Sequence, residues 1–222
     1  MVYVYAITES SRLPGIRGLH GSLLRTLRAG GLCAVVSEHE RAPESNEDAL
    51  WGHESVVEAL MEGGDVLPMR FGNVVLDEAS LQALLRSRGE EFEAALARVR
   101  GAVELSVRAQ IDPRSDSADK PVPSAELAGR PGTAYLRLRL EESRRAEEAV
   151  ALIHEPLSHL ARAASRRRSG SPGTLKSAYL VDRDRVEAFG ARVEALAEEI
   201  DGATIACTGP WPPYSFVQEA GG

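Results

Sequence analysis

The chain has 222 residues, of which 43% are hydrophobic and 27% charged, and a formal net charge of −7. That length holds one large core or two small ones at roughly 100 to 150 residues per domain, and the composition is that of a folded protein in water. No window carries the roughly 18 to 20 apolar residues that a membrane span needs, and the acidic balance argues against a general affinity for nucleic acid, whose backbone is met by cations.

Val2 to Ile7 alternates small and aromatic residues and reads as a strand, without the basic region or cleavage site of a secretory leader, so a cytoplasmic location is expected. After turn-rich chain at 10–18, Gly30-Gly31 can take the positive φ of a tight turn, and Leu32-Cys33-Ala34-Val35-Val36 is a strand of the buried kind. Segments 22–28 and 32–37 are therefore expected to pair as a hairpin, although Leu23, Leu24 and Leu27 also suit a helix. Glu47 to Met61 puts Leu50, Val57, Leu60 and Met61 on one helical face and stops at Gly63-Gly64. His53 on this helix has no second ligand near it in sequence and reads as a polar or half-buried structural residue rather than a metal ligand.

Residues 65–75 read as extended chain interrupted at Pro68, which cannot donate to a ladder and marks an edge, a bulge or a strand start. Asp77 is an N-cap for helical periodicity through Leu81, Leu84, Leu85, Phe92, Leu96 and Val99, with a break at Gly89. Val103, Leu105, Val107 and Ala109 alternate with Glu104, Ser106 and Arg108, the period of a strand with one wet face.

Residues 112–132 are rich in Pro, Ser, Asp and Gly and form the expected linker. Beyond it a strand is expected at Tyr135–Leu140, a helix at 141–164 and a strand at 174–181. A helix capped by Asp182 or Asp184 should then bury Val186, Phe189, Val193, Leu196 and Ile200, before a last strand at 203–207. The fold class is α+β in two small domains, 1–111 and 133–207. The second, β-α-β-α-β, is a modified ferredoxin-like sandwich with a missing or borrowed strand, followed by a C-terminal arm at 208–222.

Catalytic motifs are absent. Ser169 to Ser177 has the flavour of a phosphate loop but lacks its Gly-Lys-Ser/Thr ending and precedes a strand. Cys33 and Cys207 give neither zinc spacing nor a disulfide framework, and Arg166-Arg167-Arg168 reads as a solvated loop. No cofactor, metal or catalytic residue is expected.

Two phrases stand out. In Thr208 to Val217, Gly209, Pro210, Trp211, Pro212, Pro213, Tyr214 and Phe216 set aromatic rings on a proline-stiffened arm that should be neither helix nor interior strand. Such an arm either clasps its own domain or docks a partner, since little entropy remains to be lost. In Leu67 to Gly72, Pro68, Arg70, Phe71 and Gly72 could present a guanidinium at a sheet edge, to pair with a carboxylate or stack on a ring such as Trp211. The expectation is that Trp211 and Tyr214 clasp the arm near Pro68–Gly72, in which case Trp211→Ala loses roughly 3 to 5 kcal/mol. A competing reading makes Arg70 the centre of a small-molecule or catalytic cleft between the domains.

Taken together, Val66 to Val74 and Thr208 to Val217 resemble the gas vesicle protein F/L family. The resemblance extends in order through Tyr3–Ile7, Leu32–Ser37, His53, the Glu104 strand and Ser177–Val181, covering nearly the whole chain; Cys33 stands where such proteins often have an alanine-like residue. It implies a non-enzymatic assembly or minor structural protein of gas vesicles, located at the vesicle in the cytoplasm. Its implied partners are the small hydrophobic shell protein and other gas vesicle accessory proteins, with no nucleic acid and no membrane.

Overall fold

The computed structural model describes residues 1–111, 131–167 and 171–217. They form two compact units: residues 1–104 together with the chain from Pro210 onward, and Leu105–Gly209. Each is α+β with its own sheet. Among the described residues no helix is long and apolar enough to cross a membrane.

In the first unit, β1 (Val2–Thr8) is buried along its whole length and lies inside the sheet, with strands on both sides. β2 (Arg25–Ala29) and β3 (Leu32–Glu38) make the expected hairpin, with Ala29 opposite Leu32 across the two glycines and Gly30 at φ 64. β4 (Leu67–Pro68) and β5 (Val74–Val75) both pair with β1, giving the order β2-β3-β1-β4, so Pro68 sits on an edge where its missing N–H leaves no gap in the ladder. The β1–β3 register slips between Val4 and Ala6, leaving Tyr5 as the extra residue of a bulge.

Three helices complete this unit: α1 (Glu47–Gly63), α2 (Glu78–Ser87) and α3 (Gly89–Val99). Asn46 caps α1 and Asp77 caps α2, each side chain accepting a backbone N–H of the first turn. The face α1 buries is Ala49, His53, Val56, Val57, Leu60 and Met61; Leu50, expected there, is exposed, because the stripe turns about one residue from the position its leucines mark.

The second unit departs from expectation at its start. Tyr135–Leu140 is not a strand: α4 runs from Pro131 to Leu160 and includes it. Leu and Arg are strong helix formers, and no turn residue separates this stretch from the helix that follows, so local propensity overrides the two-residue alternation. The missing strand is supplied by β6 (Ala102–Ile111), which runs from the first unit into the second. β7 (Ala163–Arg166) pairs antiparallel with β8 (Thr174–Asp182), and α5 (Val186–Glu199) and β9 (Ala203–Trp211) follow. The order in sequence is β6-α4-β7-β8-α5-β9 and in the sheet β7-β8-β6-β9, the arrangement of a ferredoxin-like sandwich. Its core joins Leu105, Val107, Ala109 and Ile111 to Ile153, Leu157, Tyr179 and Phe189.

α5 starts without a side-chain cap; Asp182 turns instead to the guanidinium groups of Arg162 and Arg185. The expected linker at 112–132 lies outside the described residues except for Pro131 and Gly132, which begin α4. Arg168, Ser169 and Gly170 also lie outside them, whereas Arg166 ends a strand.

Candidate functional site

The least ordinary chemistry of the first unit lies where β1, α1, the 67–73 segment and the C-terminal segment meet. β1 carries Tyr3 and Tyr5, and α1 places His53 against both rings, fully buried. The Nε2 atom of His53 lies 2.9 Å from the Met69 carbonyl, which can only accept, so Nε2 carries the proton. Nδ1 is then an acceptor, and the Tyr3 hydroxyl donates to it at 2.8 Å. The Gly72 N–H in turn donates to the Tyr3 oxygen at 3.2 Å. Gly72 has φ 91, a conformation that favours glycine and that brings its amide inward. Burial holds the His53 pKa down to about 4, only partly opposed by the Met69 hydrogen bond, and pushes the Tyr3 phenol well above its ordinary range. A neutral ring with both nitrogens occupied is a structural hub, with no lone pair left for a metal or a substrate proton.

A second relay runs beside it. The Leu19 N–H donates to the Tyr5 hydroxyl at 2.7 Å, the Tyr5 and Ser37 hydroxyls share a hydrogen bond at 2.8 Å, and Ser37 lies 2.8 Å from Nε2 of His39. The β-bulge at Tyr5 re-aims this side chain and turns its carbonyl to the Met69 N–H.

The C-terminal segment covers the hub. Extended chain ends at Pro213 and makes one 3-10 turn at Tyr214–Phe216, in place of the continuous extended arm expected from the prolines. Pro212, Pro213 and Phe216 are buried, and the Tyr214 ring lies 6.5 Å from that of His53. The buried carboxylate of Glu104 accepts from both the N–H and the hydroxyl of Ser215, each at 2.8 Å, and Arg98 reaches the Phe216 carbonyl at 3.4 Å. The Tyr214 hydroxyl is buried and faces the Glu54 carboxyl without the geometry of a full hydrogen bond. Burial, then the neighbouring Glu54 charge, pushes the Tyr214 phenol far up; burial likewise raises Glu54, with the hydroxyl pulling the other way.

The residues singled out in the sequence thus divide. Phe71, Gly72 and Tyr214 gather round the hub, Phe71 with its ring 6.0 Å from both Tyr3 and His53, while Phe216 is buried with its carbonyl met by Arg98 and Pro68 lies buried in β4. Arg70 is exposed, its carbonyl held by Asn73. Gly209, at φ 124, and Pro210 lie in β9, both exposed. Trp211 is 41% exposed, so its ring does not share the burial of Tyr214 as the clasp expectation had it. Two surface depressions of about 560 and 490 Å³ are lined by residues such as Glu38, His39 and Asp77, and Arg12, Glu62 and Asp65; Arg70 lines neither. Among the described residues no cluster of His, Cys, Asp and Glu is placed to hold a metal ion. Sequence reasoning missed the parts of Tyr3, Glu54, Glu104 and Ser215. A histidine inside an otherwise apolar helical face was the available signal, since a buried imidazole demands two partners.

Residues 1–218 match the family model described as gas vesicle synthesis protein GvpL/GvpF. The chain is 34% identical to gas vesicle protein L of Streptomyces sp. (strain CB03234), over 96% of this chain and 91% of the relative. It is 33% identical to gas vesicle protein F of the same organism, over 97% and 99%. These two identities do not separate one type from the other. Its fold is that of the crystal structure of gas vesicle protein GvpF from Anabaena sp. PCC7120, with a TM-score of 0.83, 20% identity and 99% of each chain covered. GvpF from Microcystis aeruginosa follows at 0.80, 20% identity, with 98% and 99% covered.

Proposed function

Because the chain belongs to the gas vesicle synthesis protein GvpL/GvpF family, we propose that within gas vesicle assembly it binds the small hydrophobic shell protein before that protein enters the wall, and helps nucleate or deliver it. A subunit that excludes water from a gas space must expose apolar surface until it is assembled, and such surface finds a partner or aggregates. The observation that supports a binding role is the placement of the two tryptophans of the chain. Both belong to the first unit and both are exposed, Trp51 at 65% and Trp211 at 41%. Tryptophan is highly buried on average, and an exposed one is the side chain most enriched among the anchors of protein interfaces. Trp211 follows Pro210 and precedes two buried prolines, so its backbone is already stiff and little entropy opposes docking.

The test is co-expression with the vesicle shell protein and capture in low and high salt, for the parent chain, Trp51→Ala and Trp211→Ala. The expected result is capture that survives high salt, as apolar contacts do, and falls by about tenfold or more in at least one variant, the scale of an interface anchor. Capture lost in high salt, or equal in all three proteins, overturns the apolar anchor. No capture in either buffer overturns shell-protein binding and moves the role to other gas vesicle accessory proteins.

A further inference from the structure

We infer that the exposed end of the second unit's sheet, on the face opposite its helices, docks an acidic segment of a partner protein, held by a row of three cations: Arg108, Lys176 and Arg167. This surface is separate from the tryptophans, and the inference stands or falls independently of shell-protein binding.

The row follows from register. The Ile111 N–H donates to the Gly173 carbonyl at 2.9 Å and Thr174 Oγ1 donates to Gln110 at 2.6 Å, which sets Ile111 opposite Gly173 and Gln110 opposite Thr174. Two residues further along, Arg108 on β6 stands opposite Lys176 on β8. Burial agrees with that parity: Val107, Ala109, Leu175 and Tyr179 lie in the core, while Arg108 and Lys176 are exposed. On the other side of β8, Arg166 is opposite Ser177, and the next residue, Arg167, donates its N–H to the Lys176 carbonyl at 2.9 Å. Residues directly opposite on paired strands share a face. The three exposed cations therefore line up across three adjacent strands at a spacing of about 4.8 Å per strand.

Like charges directly opposite one another destabilise a sheet. No ion pair among the described residues involves any of the three. Among the described residues of these strands the carboxylates on this face are committed elsewhere, Glu104 to Ser215 and Asp182 to Arg162. The neighbouring rows are small or neutral, with Ser106, Ala178 and Ser165 on one side and Gln110 and Thr174 on the other, so no described residue of these rows neutralises the cations. A cationic row kept at the expense of stability, in a chain of net charge −7, is complementary to carboxylates carried in by another protein. A nucleic acid fits less well: no aromatic ring stands among the residues of these rows to stack a base.

The experiment measures binding of a fluorescent, end-capped decaglutamate peptide to the full chain, to the triple variant Arg108→Ser, Lys176→Thr and Arg167→Ser, and to the charge-conserving pair Arg108→Lys and Lys176→Arg. Expected are binding that weakens in about 0.5 M salt, loss of about tenfold or more in the triple variant, and retention in the charge-conserving one. The triple variant should melt at the parent temperature or above it, because like-charge repulsion has been removed. Equal peptide binding by parent and triple variant overturns the proposal, and so does a triple variant that melts lower, since the cations would then serve the fold. Tighter binding of single-stranded polyuridylate than of the peptide overturns the assignment to a protein segment.

Discussion

A buried neutral imidazole ties the stability of the first unit to pH. The His53 pKa falls from 6.5 in the unfolded chain to about 4 in the fold, so between those values the unfolded state binds a proton that the folded state refuses. Stability is complete above pH 6.5, declines as pH falls towards 4, and then levels, for a total loss of about 3 kcal/mol at 1.36 kcal/mol per unit. His39 and His154, both also lowered by burial, act in the same sense. Glu54, raised by burial, acts in the opposite sense, because in the fold it takes up its proton before the unfolded chain does. Urea midpoints measured from pH 8 to pH 4 should fall along this curve in the parent and more shallowly in His53→Gln. An unchanged slope in the variant would mean that another group carries the dependence. The same residue shows how far sequence reading went: His53 was legible as structural rather than catalytic, but its partners Tyr3, Met69 and Gly72 are distant in sequence and only folding brings them together.

At the scale of elements, Glu104 shows what alternation in a strand misses. The pattern of β6 assigns Glu104 to a wet face, yet it is buried, because the turn at Tyr214–Phe216 lies over this end of the strand and Ser215 satisfies its carboxylate twice. Glu104→Ala should lower stability by about 3 kcal/mol, since it removes two hydrogen bonds to a charged acceptor and leaves a half-buried N–H unpaired. Ser215→Ala keeps the backbone bond and should lose only about 1 kcal/mol. Chemical denaturation of both variants checks the order, and equal losses would show that the hydroxyl, not the backbone amide, carries the contact. The Tyr135–Leu140 stretch makes the complementary point. Alternating Leu and Arg satisfies a strand template over six residues, but the chain continues into helix without a stop, and the longer element prevails.

On the scale of the whole molecule, the first unit is discontinuous: its last segment, Pro210 to Val217, arrives only after the entire second unit has been made. The first unit therefore cannot complete its core until the second unit has been synthesised. Truncation after Gly209 removes Phe216, 9% exposed, and uncovers the His53 hub. At about 3 kcal/mol or more for a buried Phe, and roughly 4 to 8 °C per kcal/mol for a domain of this size, the melting transition of the first unit should drop by more than about 10 °C. Calorimetry should show that transition lowered while one belonging to the second unit persists. A truncated chain melting like the parent would mean that the segment contributes nothing to the unit it covers.

The sequence by itself determined the α+β class, the Gly30-Gly31 hairpin, the Asp77 cap, the break at Gly89, and the family, whose phrases at 66–74 and 208–217 are legible without coordinates. Each of these rests on local sterics or on residue order, which the chain carries within a few positions. Tertiary structure alone decided that β6 completes the second sheet, that Ala163–Arg166 is a strand, and that Tyr214 and Phe216 turn inward while Trp211 turns out. Those outcomes depend on which distant surface is available to cover a strand edge or a ring. That is a property of the assembled fold, set by burial and pairing between residues as far apart as Glu104 and Ser215.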